Sequence, residues 1–279
     1  MGRARQPRIA IAYDFDGTLA PGNMQERHFI PALGMTPTKF WSQAKQLSAK
    51  HDMDEILAYL NLMLKTALEK EIQINKKAFE NFGKKLKFFP GVKSWFKRIS
   101  TYGKKKGVLV EHYVISSGLR EMIQSTSIGK EFTKVFASGF RYDQHGVAMW
   151  PALAVNYTNK TQYLFRINKG IKTSYDNSKI NKYMPQEKRP VPFQNMIYIG
   201  DGETDIPAMK TVKSQGGYAI TVYPKRKRGA RAKAKDLVKY DRAHIAVLAD
   251  YRNKSNLDKA VKAIIDLVVA RYRFAASAS

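Results

Sequence analysis

The sequence lacks cysteine altogether. This absence excludes disulfide bonds, zinc sites built on thiolates and cysteine nucleophiles. It is compatible with a reducing compartment, and we expect a cytoplasmic protein. The sequence also lacks any run of about 18 apolar residues, the length that a membrane-spanning helix requires, so we expect no membrane partner. The basic residues 1–7 are followed by an apolar run that is too short for the core of a signal peptide.

Acidic residues are scarce, since 23 Asp and Glu stand against 49 Lys and Arg and the formal net charge is +26 at pH 7. The cations concentrate at residues 76–110, 160–190 and 225–235, and the last stretch has no acidic residue. Such a field attracts polyanions over a long range. Weak binding of a nucleic acid or another polyanion is therefore one interpretation. The other is a solvated, lysine-rich surface, because no recognised nucleic-acid motif accompanies the charge.

Two acidic clusters are far apart in the chain, and each follows a short apolar run. The first, DFDGTL, follows residues 9–13, and the second, GDGETD, follows residues 196–199. Apolar runs that end in Gly-containing turns are typical of buried parallel strands, and ligands bind at the carboxyl edge of such sheets. Carboxylates that converge there repel one another unless a cation joins them, and hard oxygen ligands suit Mg²⁺. The sequence therefore predicts a Mg²⁺ site with these candidate ligands: Asp14, Asp16, Asp201 and Asp205.

Strands alternate with helices along the rest of the chain, which predicts an α/β fold with a doubly wound parallel sheet. Residues 139–157 are expected to form a hairpin-like excursion, and residues 170–194 a surface loop. A helix is expected to begin at Leu119. The other predicted strands are 8–13, 109–115, 134–138, 196–199, 218–223 and 244–248, and the other predicted helices of this part are 160–168, 206–212 and 256–272. The basic run Lys225–Arg228 follows a predicted strand, so it should lie in an exposed loop.

The motifs DFDGTLAP and GDGETD resemble the first and last signature motifs of the haloacid dehalogenase (HAD) superfamily, in its phosphatase branch. Residues 113–118, YVISSG, resemble the family's strand that ends in Ser or Thr. Lys160, in the tripeptide NKT, resembles the lysine that opens the next helix. The four motifs occur in the family's order and span residues 14–205, most of the chain. The Ser-Ser-Gly turn is similar to the Ser-Gly-Gly turn of the phosphoserine-phosphatase-like subgroup.

The resemblance implies a HAD Rossmann-like core with an inserted α-helical cap of type 1. The core would comprise residues 1–22 and 89–279, and the cap residues 23–88. Helical spacing of apolar residues over 56–68, and more loosely over 29–47, agrees with such a cap. The aromatic and methionine side chains of this segment are interpreted as the packing core of the cap itself.

The resemblance also implies catalytic roles. Asp14 would attack phosphorus and form an aspartyl-phosphate, which divides hydrolysis into two easier steps. Asp16 would protonate the leaving oxygen and then activate water. Lys160 would offset the charge of Asp14 and of the phosphoryl group, although Lys169 and Lys172 are alternatives for this lysine.

Further residues are implied around the phosphate. Thr18 would order the turn and, together with Ser116, Ser117 and Gly118, bind phosphate, the last two through N–H groups at the start of the next helix. The Mg²⁺ ligands would be the side chains of Asp14 and Asp201 and the backbone carbonyl of Asp16, while Asp205 would ligate directly, through water, or orient Lys160. Glu26 is a candidate for substrate recognition, since phosphoserine-phosphatase-like proteins hold the substrate amine with an acidic residue shortly after the first motif. An ordinary helix-start residue is the alternative for Glu26.

These features predict a Mg²⁺-dependent phosphomonoester hydrolase that acts through an aspartyl-phosphate on a small phosphorylated metabolite. Two alternatives stay open. The substrate could be a nucleotide or a nucleic-acid end, held by the basic surface, or the chain could be a polyanion-binding protein with a secondary catalytic site. Intact acidic motifs argue against the last alternative, because binding needs neither a nucleophile nor an acid/base pair.

Overall fold

A computed structural model describes residues 6–72 and 74–277, so residues 1–5 of the predicted core segment lie outside the described part. Within it, seven strands form one sheet in the order β4-β3-β2-β1-β5-β6-β7. All neighbours are parallel except β3 and β4. The strands are β1 (Arg8–Tyr13), β2 (Leu109–Leu119), β3 (Lys134–Tyr142), β4 (Ala148–Leu153), β5 (Met196–Gly200), β6 (Tyr218–Tyr223) and β7 (Ile245–Leu248).

Strand β1 lies in the middle of the sheet, between β2 and β5. Its side chains alternate between two buried layers: Ile9 and Ile11 contribute to one hydrophobic cluster, and Ala10 and Ala12 to the other. Burial on both faces explains why the strand reads as a continuous apolar run rather than as an alternating one.

Helices cover both faces of the sheet, which confirms the predicted doubly wound α/β fold. Helices α6 and α11 pack on one face, and α8, α9 and α10 pack on the other. No helix of the described part is both long and apolar enough to cross a membrane. The helices are α1 (Met24–Arg27), α2 (Phe29–Ala32), α3 (Pro37–His51), α4 (Glu55–Glu69), α5 (Lys76–Lys84), α6 (Val92–Lys105), α7 (Arg120–Gln124), α8 (Lys160–Asn168), α9 (Ile206–Ser214), α10 (Ala230–Lys239) and α11 (Asn256–Ser277).

Helices α1 to α5 form the insertion between β1 and α6. The helix expected over 29–47 is two helices, because α3 begins at Pro37 after an extended Thr36. Proline suits the first position of a helix and disfavours a helical residue before it. The insertion does not have a core of its own, since Phe40 and Phe79 belong to the same buried cluster as Ile11 of the sheet. The division into a cap (23–88) and a core (1–22 and 89–279) stays a prediction.

Strands β3 and β4 form the expected hairpin-like excursion within residues 139–157. The hairpin ties the insertion to the sheet, because Asn75 forms a β-bridge with Val147 and α4 packs against β4. Residues 170–194, expected as a surface loop, contain only the short 3₁₀ turn Gln186–Lys188 and the start of a second, Phe193–Asn195.

Candidate functional site

Asp14 directly follows β1 at the carboxyl edge of the sheet. Its backbone N–H donates to the carbonyl of Ile199 at 2.9 Å, so the end of β1 stays paired with β5. Its side chain is 8% exposed. The acidic cluster that follows β5 therefore lies next to Asp14, as the sequence predicts for neighbouring parallel strands.

Gly17 lets the first acidic turn approach the second. Its φ of +77° lies in the left-handed region, and a Cβ there would lie 2.2 Å from Oδ2 of Asp201. The hydroxyl of Thr18 donates to Oδ1 of Asp201 at 3.4 Å. Thr18 thus joins the two turns, which agrees with its expected role in ordering the turn, and its assignment as a phosphate ligand stays a prediction.

Lys160 is the lysine that the fold brings to Asp14. Its Nζ lies 3.1 Å from Oδ1 of Asp14 and 2.7 Å from Oδ1 of Asp205, and its side chain is 1% exposed. The alternative Lys169 donates to the carbonyls of Ile180 and Lys182 in the surface loop. The other alternative, Lys172, is exposed.

Asp205 is fully buried and accepts four hydrogen bonds. Its Oδ1 accepts from Lys160 and, at 2.8 Å, from the hydroxyl of Tyr198. Its Oδ2 accepts from the backbone N–H groups of Asp201 at 3.1 Å and Gly202 at 3.3 Å. Sequence reasoning missed Tyr198, and the available signal was a hydroxyl-bearing residue within an otherwise apolar strand. With its oxygens occupied in this way, Asp205 is built to hold Lys160.

The expectation that Ser117 and Gly118 begin a helix is wrong. Strand β2 continues to Leu119, and α7 begins at Arg120. Two contacts hold this segment extended: the N–H of Gly118 donates to Oγ of Ser116 at 3.1 Å, and the hydroxyl of Tyr59 donates to the carbonyl of Ser117 at 2.5 Å. Any phosphate contact by this turn would therefore involve strand-end groups and not a helix N-terminus.

Asp16 makes its hydrogen bond with the start of the insertion. Its Oδ1 accepts from the N–H of Met24 at 3.0 Å. Glu26 lies in the same neighbourhood, because its charge raises the pKa of Asp16, and its Oε1 accepts from Nε1 of Trp41 at 2.8 Å. Glu203 is exposed, as expected. Tyr59 and Trp41, which pack edge to face, belong to this cap surface and were not identified from the sequence.

The site fits a divalent cation. Carboxylate oxygens of Asp14, Asp201 and Asp205 all lie within 4.8 Å of one another. Lys160 is the cation in direct contact with this group among the described residues, so the negative charges outnumber the positive one. Uncompensated buried charge is costly, and hard oxygen donors suit Mg²⁺. The donor set and the charge imbalance both agree with the predicted metal site.

The pKa values of the site follow from burial and crowding. Burial raises the pKa of Asp14 to about 6, although Lys160 lowers it. Burial, with the charges of Asp205 and Asp14, raises the pKa of Asp201 to about 8. Burial and the neighbouring Asp14 raise the pKa of Asp16 well above its usual value. Burial alone would lower the pKa of Lys160, but Asp14 and Asp205 raise it above its usual value, so this lysine stays charged.

Comparison with known proteins agrees with this geometry. The model of the haloacid dehalogenase-like hydrolase family matches residues 11–210. An uncharacterized protein of Borreliella burgdorferi is 31% identical over 234 residues, which cover 75% of this chain and 80% of that protein.

Solved structures share the fold. A HAD family hydrolase from Salmonella enterica serovar Typhi gives a TM-score of 0.56 at 18% identity, with 93% of this chain and 72% of that chain covered. A phospho-aspartyl intermediate analogue of a phosphoserine phosphatase gives 0.54 at 16% identity, with 92% and 99% covered. At these identities the likeness concerns the fold, and it confirms the phosphoserine-phosphatase-like architecture predicted from the motifs.

Proposed function

The chain belongs to the haloacid dehalogenase-like hydrolase family, and from that membership we propose that it is a phosphatase that hydrolyses phosphate monoesters through an aspartyl-phosphate on Asp14. One observation carries the proposal: Lys160, buried and charged, bridges Asp14 and Asp205. A lysine placed in this way offsets the charge that a phosphate brings to a carboxylate nucleophile.

Asp14 supplies the nucleophilic oxygen. The attack forms a bond between this oxygen and phosphorus, and the bond from phosphorus to the leaving oxygen breaks. Lys160, 3.1 Å from Oδ1 of Asp14, lowers the repulsion between the carboxylate and the incoming phosphoryl group. Asp205 holds Lys160 in place through its buried carboxylate.

Asp16 supplies the proton. Burial and the charge of Asp14 raise its pKa, which favours the protonated form of the carboxyl group that can protonate the leaving oxygen. The resulting carboxylate can then take a proton from the water that attacks the aspartyl-phosphate. Its hydrogen bond with the N–H of Met24, at the start of the insertion, supports a role for this group on the side where the leaving group would lie.

The metal would be held by the side chains of Asp14 and Asp201 and by the backbone carbonyl of Asp16. When bound, Mg²⁺ supplies positive charge that offsets the negative charge of the transferring phosphoryl group. Asp205 is assigned to the positioning of Lys160 rather than to direct ligation, since it already accepts four hydrogen bonds.

The phosphate oxygens are assigned to the turn after β2, at Ser116, Ser117 and Gly118, with Thr18 on the facing turn. The absence of a side chain at Gly118 lets Met24 approach this turn closely, because a Cβ there would lie 2.3 Å from Cε of Met24 and 3.1 Å from Oδ2 of Asp16. This close approach of the cap favours a small phosphorylated substrate. Glu26 is proposed to contact the part of the substrate beyond the phosphate.

The test is turnover of p-nitrophenyl phosphate with Mg²⁺ and with EDTA. We expect hydrolysis that requires the metal. A panel of phosphoserine, sugar phosphates and nucleotides then identifies the substrate class. No hydrolysis of any phosphate monoester under either condition would contradict the proposal and favour a binding protein instead.

A further inference from the structure

The basic run Lys225–Arg228 lies in the loop between β6 and α10, as the sequence predicted, and all four residues are exposed. Among the described residues, none of the four side chains has an ion-pair or hydrogen-bond partner. Four neighbouring cations without a counter-charge repel one another, so the loop is arranged for an anion that comes from outside the chain.

The loop lies at the same sheet edge as the site. Strand β6 is parallel to β5, and Thr221 is the partner of Gly200. Asp201, the next residue, therefore lies beside the end of β6, and the loop leaves the sheet two residues after Thr221. Neighbouring strands are about 4.8 Å apart, so this loop borders the loop that carries Asp201.

The catalytic chemistry does not use these cations. The reacting phosphate is already assigned to Lys160, the metal and the turn after β2. The adjacent run offers two guanidinium groups, whose planar forks match phosphate oxygens, and two ammonium groups. A substrate with one phosphate leaves the basic run without an anionic partner. A substrate with a second phosphate can bring a negative charge to the run.

We propose that loop 224–229 binds a second phosphate group of the substrate, so that the enzyme prefers phosphate monoesters that carry another phosphate elsewhere in the molecule. The inference rests on the proposed phosphatase activity and specifies its substrate class. The second phosphate can belong to a small bisphosphate or to the phosphodiester backbone of an oligonucleotide with a phosphorylated end, because the chemistry of recognition is the same.

The experiment compares the parent with a variant in which Lys225, Arg226, Lys227 and Arg228 are changed to Ser. The substrates are p-nitrophenyl phosphate, adenosine 5′-monophosphate, adenosine 3′,5′-bisphosphate and a 5′-phosphorylated trinucleotide. We expect the variant to lose at least about tenfold in kcat/KM on the doubly phosphorylated substrates, chiefly through KM. Turnover of p-nitrophenyl phosphate should change less than about threefold. If the parent has the higher kcat/KM on the bisphosphate, the second phosphate belongs to a small molecule. If it has the higher kcat/KM on the trinucleotide, the second phosphate belongs to an oligonucleotide backbone.

A matched control removes the same charge elsewhere. Lys97, Lys104, Lys105 and Lys130 are exposed and lie on α6 and in the turn after α7. Changed together to Ser, they should leave the discrimination between bisphosphate and monophosphate intact. Equal losses in both variants would overturn the proposal, since the whole field of the protein would then be responsible. A parent that does not favour doubly phosphorylated substrates would also overturn it.

Binding measurements separate this proposal from the phosphatase activity. Asp14→Asn with Mg²⁺ is titrated with adenosine 3′,5′-bisphosphate and with the monophosphate by calorimetry, with and without the four loop substitutions. The subsite is supported if the bisphosphate binds more tightly than the monophosphate and the loop substitutions abolish this difference. This result would stand even if the parent hydrolyses nothing. If the affinity for the bisphosphate is the same with and without the loop substitutions, the subsite is rejected, even if the parent hydrolyses p-nitrophenyl phosphate.

Discussion

At the scale of single residues, the proposed reaction depends on the carboxylate of Asp14, which lies 3.1 Å from Nζ of Lys160. We expect Asp14→Asn to lower turnover of p-nitrophenyl phosphate by a factor of about 10³ or more, because an amide of the same shape cannot attack phosphorus. The circular dichroism spectrum should stay unchanged. Asp176→Asn is the control, since this half-buried carboxylate accepts its hydrogen bonds locally, from Ser178. Near-parental activity of Asp14→Asn would refute the aspartyl-phosphate.

Asp201 makes the stability of the metal-free protein dependent on pH. Its pKa is about 8 in the folded chain and about 3.9 for an ordinary carboxyl group. The folded state therefore holds a proton that the unfolded state releases, and stability falls as the pH rises from about 4 to about 8. We expect the Tm in EDTA to be lower at pH 8.5 than at pH 6, by a difference on the order of 5 °C.

Asp201→Asn is the control for this effect. It removes the titrating group, so its Tm in EDTA should depend less on pH and should exceed the parental Tm at pH 8.5. Added Mg²⁺ should stabilise the parent more at pH 8.5 than at pH 6, because the ligand must be ionised, and should stabilise Asp201→Asn less than the parent. Parallel Tm curves for the two proteins, measured by differential scanning fluorimetry, would show that Asp201 does not control the stability.

Some site residues could be found from the sequence and others could not. Asp14 and Asp201 follow apolar strands in a recognisable pattern, and parallel pairing of those strands brings them together. Lys160 had two competitors that only the tertiary structure excluded. Tyr198 was missed because its hydroxyl acts on Asp205, a contact across the turn that spacing does not encode.

At the scale of elements, the sequence predicted the strands of the parallel sheet and most of the long helices, because apolar runs and helical periodicity are local signals, but it did not predict α10. It failed at the end of β2. A Ser-Ser-Gly turn carries no local signal for extended structure, and the segment is held by the hydroxyl of Tyr59, which belongs to helix α4 of the insertion. The boundary between a strand and a helix was thus decided by a contact from a distant part of the chain.

This contact between α4 and β2 can be tested. Tyr59→Phe removes the hydrogen bond to the part-buried carbonyl of Ser117. We expect a loss of about 1–3 kcal/mol in the free energy of unfolding, and a fall in kcat/KM on p-nitrophenyl phosphate, because the turn that is proposed to bind phosphate loses its support. Urea denaturation and steady-state kinetics measure the two effects.

Tyr157→Phe is the matched control. Its hydroxyl also joins the core to α4, through Oε2 of Glu55 at 3.0 Å, but at an exposed position. Its removal should cost less than about 1 kcal/mol and leave kcat/KM within about twofold. If both variants behave alike, the turn after β2 does not depend on the cap.

At the scale of the whole molecule, the net charge of +26 destabilises the compact state by self-repulsion. Salt screens charges at separations beyond about 10 Å at 0.1 M. We therefore expect the Tm at pH 7 to rise when NaCl is increased from about 20 to 200 mM. Sodium sulfate at equal ionic strength tests for specific anion binding. A larger rise in Tm with sodium sulfate than with NaCl would indicate such binding. A Tm that falls with NaCl would show that attractive charge pairs outweigh the repulsion.

The central position of β1 matters while the chain is being synthesised. Both faces of this strand are apolar, and one of its edges is completed only when Met196–Gly200 has left the ribosome. At about 5–20 residues per second, the strand waits on the order of ten seconds or longer with that edge unpaired. An open apolar edge can pair with another nascent chain. Until β5 has been made, this edge of β1 is therefore a place where nascent chains can aggregate.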